Sequence, residues 1–165
     1  MLQPLEPRRL FSVTTSLSAG VLTVTSDGAS DHVRITTHHG DYFVYSGHHL
    51  VAAIHDLNSI VVNLNGGDDS LDTDSSVHAP MQISGGHGND VLRAGSGHDL
   101  ISGNDGDDLI YADDGVADNV DGGAGTDSAF VDHHDTVHNV EHIHHHGHHH
   151  HDAKFRDDLI ADVLA

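Results

Sequence analysis

A nine-residue phrase that repeats without a break constrains this chain more than any other feature. Between Gly85 and Phe130 it reads GGHGNDVLR (85–93), AGSGHDLIS (94–102), GNDGDDLIY (103–111), ADDGVADNVD (112–121) and GGAGTDSAF (122–130). Each copy carries glycine at its fourth place, aspartate near its sixth, and two strand-forming residues directly after. The aspartates Asp90, Asp99, Asp108, Asp118 and Asp127 are spaced by nine residues, except for one step of ten where Val116 and Ala117 fill a place held elsewhere by one residue. A unit this short has no core of its own, so the copies must stack and bury in common what one of them cannot.

The residue types suit a tight coil. Glycine reaches left-handed backbone conformations without a Cβ penalty, which lets successive turns curl and aim carbonyl oxygens inward. Aspartate places its carboxylate close to such a turn, and of the 26 acidic residues only Glu6 and Glu141 are glutamate. Selection for negative charge alone would not avoid glutamate so strongly.

This pattern resembles the RTX calcium-binding repeats, whose consensus is G-G-x-G-x-D-x-U-x with U a large aliphatic residue. The resemblance implies an all-β fold, a right-handed parallel β-roll or β-solenoid in which about six residues turn and about three form a strand, so that same-edge turns fall at every second repeat. Leu92, Ile101, Ile110 and Val120 then point into a narrow core. It also implies calcium sites between Asp90 and Asp108, Asp108 and Asp127, and Asp99 and Asp118, with carbonyls near Gly86, Gly88, Gly97, Gly106 and Gly125 completing the shells. Calcium takes six to eight oxygen ligands, which such turns supply. The longer fourth copy makes the Asp99/Asp118 pair the least regular of these sites.

Upstream, Asn65 to Leu71 is a further copy with Asp69 in phase, so Asp69 with Asp90 forms a fourth candidate site. Ser26 to Arg34 is a degenerate copy with Asp31 in the aspartate place and Ala29 where glycine is wanted. Val21 to Thr25, Val33 to Thr36, Tyr42 to Tyr45 and Ile60 to Leu64 read as strands. The expected organisation is a leader (1–11), one solenoid domain (12–143), a histidine-rich linker (144–151) and an amphipathic C-terminal helix (152–165). Within the domain, 12–84 are degenerate N-terminal coils, 85–130 the repeats and 131–143 a cap.

The leader, Leu5-Glu6-Pro7-Arg8-Arg9-Leu10-Phe11, resembles the LEPR-XLL segment of extracellular proteins of planctomycete-type bacteria, with Phe11 in place of the final Leu. No apolar stretch of the secretory type follows it, so a conventional cleaved signal is not expected. The last four residues, Asp162 to Ala165, resemble the acidic-then-apolar terminus of uncleaved type I secretion signals. The expected location is extracellular.

Six Lys+Arg against those 26 acids give a formal net charge of −20, which argues against nucleic acid and anionic membranes as partners. A chain so acidic needs cations to fold, and metal binding would then be folding. There is no cysteine, hence no disulfide, thiolate site or thiol catalysis. Neither HExxH nor G-x-S-x-G occurs. The expectation is a protein without catalytic activity.

Histidine is the remaining anomaly. Of 20 His, seven fall at His144, His145, His146, His148, His149, His150 and His151. Imidazole suits zinc, nickel and copper, but a tract without preorganised geometry implies weak, unselective binding. The competing function is therefore a transition-metal-binding or adhesion/matrix protein that uses the roll as scaffold, with its protein or matrix partner unspecified by sequence.

Overall fold

In the computed structural model, which describes residues 12–145, every regular element is a β-strand. Short strands follow from the repeat itself, because aliphatic residues alternate with polar ones over a few positions before glycine or aspartate ends the run. One sheet holds, side by side, β6 (Ser59–Asn63), β8 (Met81–His87), β10 (Leu100–Asp105), β12 (Asn119–Ala124) and β14 (Thr136–His138). The other holds β7 (Ser70–Thr73), β9 (Val91–Arg93), β11 (Leu109–Tyr111), β13 (Ser128–Val131) and β15 (His142–His145). The chain thus changes sheet at every turn, and each strand pairs in parallel with the strand two elements on. Two nonapeptides complete one circuit.

As wholes, the sheets are mixed. β1 (Thr14–Ser18) is antiparallel to β2 (Val21–Thr25), and β4 (Asp41–Ser46) is antiparallel to both β3 (His32–His38) and β5 (His49–His55). Only β2 and β3 of this region join the parallel array, through β6 and β7. This corrects the expectation of parallel coils from residue 12 onward. The cause is turn length: Ala19-Gly20 and His39-Gly40 are two-residue connections with φ of 51° and 80°, and of 55° and 88°. Two successive positive φ values are the signature of a type I′ hairpin, which sends the chain straight back.

The inward positions close the core. Ile60, Val62, Ile83, Ile101 and Val120 from one sheet meet Leu71, Leu92, Ile110 and Ala129 from the other, all buried. Period two along each strand puts the intervening residues outside. There, one row runs across the second sheet in register: Arg34, Asp72, Arg93, Tyr111, Phe130 and His144. Arg93 lies 3.5 Å from Asp72 and 4.2 Å over the Tyr111 ring. Tyr111 stacks on Phe130 at 5.0 Å, and Phe130 on His144 at 4.7 Å.

The LEPR-XLL-like leader, His146 to His151 and the amphipathic segment 152–165 lie outside the described residues, so the structure bears on none of them.

Ile101→Ala is expected to cost about 2–5 kcal/mol, because Ile101 is fully buried and its neighbours are held by their own coils. Leu100→Ala, at a side chain 46% exposed, is expected to stay within about 0.5 kcal/mol. Denaturant unfolding of both variants in calcium measures the difference.

Candidate metal centre

Each in-phase aspartate stands one residue before a strand, at the turn that leads into it. In that position its carboxylate reaches the backbone of the preceding coil. Asp69 Oδ1 accepts the Asp31 N–H at 2.6 Å, Asp90 Oδ1 the Asp69 N–H at 2.8 Å, Asp108 Oδ1 the Asp90 N–H at 2.8 Å, and Asp127 Oδ1 the Asp108 N–H at 2.7 Å. On the opposite edge Asp99 Oδ1 accepts the Met81 N–H and Asp118 Oδ1 the Asp99 N–H, both at 2.8 Å. The result is two ladders of carboxylates, one along each edge of the coil. Asp69 with Asp90, Asp90 with Asp108, Asp108 with Asp127, and Asp99 with Asp118 are adjacent rungs.

The second oxygen of each carboxylate has a different fate. Oδ2 of Asp69, Asp90, Asp99, Asp108, Asp118 and Asp127 is buried and has no hydrogen-bond partner, although these residues are at most 5% exposed. Buried polar groups are normally paired, so six unpaired carboxylate oxygens in register demand an explanation. Burial raises the carboxyls from 3.8 to about 6 at Asp69, Asp99 and Asp108, to about 7 at Asp90 and to about 8 at Asp118. The ladder hydrogen bonds pull the other way. Neighbouring carboxylates add to the rise, as Asp108 and Asp69 do at Asp90. Asp127 is raised as well, by burial first and then by Glu141.

What surrounds these oxygens is chemically specific. A Cβ built on Gly85 would press on Asp90 Oδ2 and the Gly103 carbonyl oxygen; on Gly103 it would press on Asp108 Oδ2 and the Gly122 carbonyl; on Gly122, on Asp127 Oδ2 and the Asn139 carbonyl. Three unpaired carboxylate oxygens therefore share their space with a carbonyl oxygen of the next coil. Hard oxygen donors, converging and negatively charged, fit a hard cation such as calcium and offer nothing to a soft one. Gly88, Gly106 and Gly125 stack in a second column with φ of 120°, 128° and 153°, each against the carbonyl of the glycine one coil earlier, Gly67, Gly88 and Gly106. Gly86, at φ 115°, lies against the Asn65 carbonyl, while Gly97 lies against Ala79 O and Asp99 Oδ1. The carbonyls beside the unpaired oxygens are thus those of Gly103, Gly122 and Asn139, which the consensus reading passed over.

The ten-residue fourth copy keeps Asp118 in its ladder rather than displacing it. The extra residue is absorbed in the turn, where Asp114 Oδ1 accepts the Val116 N–H at 2.7 Å and the Ala117 carbonyl lies 2.8 Å from His98 Nδ1. That detour carries Asp114 to within 4.8 Å of Asp99 and Asp118, a group of three carboxylates.

Both ladders also run beyond the repeats. Asp135 Oδ1 accepts the Asp118 N–H at 2.9 Å, and Glu141 Oε2 the Asp127 N–H at 2.8 Å. The signal for both is an acidic residue two places before an apolar one, Asp135 before Val137 and Glu141 before Ile143, as Asp108 stands before Ile110. Shortened turns put them off the nine-residue period, and glutamate supplies the extra reach. Of the histidine tract, His144 and His145 end β15, both exposed, and the His144 ring is engaged with Phe130.

Residues 84–116 match the family model of the RTX calcium-binding nonapeptide repeat, in four copies. No curated protein and no solved structure matches the chain. The chain therefore carries RTX calcium-binding repeats over that span, which includes Asp90, Asp99 and Asp108.

Raised carboxyls make the metal-free fold sensitive to pH in a definite direction. The folded state holds these protons more tightly than an unfolded chain, whose aspartates titrate near 3.9. The stabilisation is fully present below about pH 4 and is lost as pH rises through the folded values, up to about 8 at Asp118. Thermal unfolding in chelator is expected to show its highest melting temperature near pH 4 and a falling one as pH rises, until the folded transition is lost toward neutral pH.

Proposed function

We propose that this chain is a secreted, non-catalytic calcium-binding protein whose repeats form a right-handed parallel β-roll that folds when calcium is held between turns. The observation that carries this reading is the pair of edge ladders, with six buried carboxylate oxygens left unpaired in register. Asp69/Asp90, Asp90/Asp108, Asp108/Asp127 and Asp99/Asp118 are the proposed ligand pairs. Carbonyls of the stacked glycines, Gly86, Gly88, Gly97, Gly106 and Gly125, would join them, as would those of Gly103 and Gly122. Bound calcium would supply the positive charge that offsets like-charged neighbours a few ångströms apart.

Energetics favour a switch rather than a permanent fold. Extracellular modules bind calcium at about 10⁻⁴ to 10⁻³ M. A site at about 100 times its Kd adds about 2.7 kcal/mol, so several sites acting together decide whether a marginal domain is folded. Low calcium would leave the chain loose for export, and high calcium outside would close it. A non-catalytic role is supported by the carboxylates themselves, since each in-phase aspartate is committed through one oxygen to the neighbouring coil.

Far-UV circular dichroism of metal-stripped protein, titrated with calcium and separately with magnesium, is the test. A cooperative gain of β signal with calcium alone is expected. Asp108→Ala removes a rung shared by two proposed pairs, so its calcium midpoint is expected to rise about tenfold or more, and further than that of Asp69→Ala. Full β signal in chelator at neutral pH, indifferent to calcium, would sink the reading.

A further inference from the structure

The turn after β13 holds a second set of metal donors that differs in kind from the ladders. Asp132, His133 and His134 each place one ligand atom within 4.8 Å of the others. Asp132 Oδ1 lies 3.1 Å from His134 Nδ1 and 4.0 Å from His133 Nδ1. The two imidazole rings sit with centroids 3.7 Å apart, tilted by 41°. In a tetrahedral site with metal–donor bonds near 2.0–2.1 Å, donors stand roughly 3.4 Å apart, so closing the separations by at most about 1.4 Å would bring all three onto one ion.

The carboxylate is preorganised. Asp132 is 4% exposed; its Oδ2 accepts the Gly115 N–H at 2.7 Å and its Oδ1 the His134 N–H at 2.8 Å. The Asp132 N–H in turn donates to Asp135 Oδ2 at 2.7 Å. Backbone donors on both oxygens and a clamped peptide are the outer-shell support that orients a ligating carboxylate. His133 and His134 are 67% and 48% exposed, so one side of the site faces water and leaves room for a fourth ligand.

We propose that Asp132, His133 and His134 form a binding site for a divalent first-row transition ion of the zinc class. Two of the three donors are imidazole nitrogens, which suit zinc, copper or nickel, whereas calcium takes oxygen. The cap thus carries a metal specificity of its own. The ion would close over the β13–β14 turn, whose Asp132 already accepts the Gly115 N–H from the turn of the fourth repeat. Ion pairing to Asp132 accounts for the 3.1 Å contact of His134 and the 4.0 Å approach of His133, but not for the approach of the two rings to 3.7 Å between centroids.

The test is calorimetric titration of zinc into the calcium-saturated full chain, alongside two variants. One carries His133→Gln and His134→Gln; in the other, all histidines of 144–151 are replaced by glutamine. A zinc step that persists in the tract variant and weakens at least ~10-fold in the double variant supports the site. An unchanged step in the double variant, a step lost with the tract, or no zinc uptake in any of the three overturns it. Circular dichroism of each variant establishes that the exposed substitutions leave the fold intact. Because that spectrum reports calcium dependence separately, failure of the calcium reading is seen there and not in the zinc step.

Discussion

A hydrogen bond from the backbone of one coil to the carboxylate of the next is the constraint on which this molecule depends. It fixes where each aspartate stands, how far apart the coils lie and which way the second oxygen points. Because the first oxygen is spent on the N–H, the second is delivered in register into the turn with no donor of its own. Repetition then multiplies the problem, for each rung places another like charge beside the last. A chain of formal charge −20 has little positive charge of its own to set against this. Among the described residues the only Lys or Arg are Arg34 and Arg93, and both lie on the outer face of the second sheet, away from the ladders.

The hydrophobic contribution is correspondingly narrow. Two thin sheets meet along a few rows of Ile, Val and Leu, with glycine wherever the turn interior must admit oxygen. Such a core cannot absorb the cost of buried carboxylates unaided. Proton or cation has to do that, and the raised carboxyls mark the positions where either would act. The N-terminal hairpins add apolar area, through Leu22, Val24, Ile35 and Val44, without adding charge of the same kind.

The repeat could be read because its period is short and its chemistry uniform. Pairing every second aspartate brings Asp90 to Asp108 and Asp99 to Asp118, and the eighth places, Leu92, Ile101, Ile110 and Val120, are buried. What escaped notice lies where spacing changes. Asp135 follows Asp118 by 17 residues and Glu141 follows Asp127 by 14, so a nine-residue template skips both. Asp114 joins Asp99 and Asp118 only because an extra residue reroutes a turn. The reversal at Ala19-Gly20 and His39-Gly40 depends on paired positive φ values, which alanine and histidine do not advertise. Sequence distance likewise hides the Gly115 N–H that holds Asp132, since that bond spans 17 residues between two turns.

A chain of near-identical phrases faces an error that ordinary folds do not, namely threading one circuit out of step. The inward aliphatics and the edge aspartates recur in every circuit and barely distinguish the right frame from one shifted by eighteen residues. The outer row does distinguish it. Arg93 over Tyr111, Tyr111 on Phe130 and Phe130 on His144 are pairings that a displaced circuit would break, and each strand carries a different member. Those side chains, which lie outside the core and the aspartate ladders, give every circuit an address and convert a periodic chain into one with a single frame.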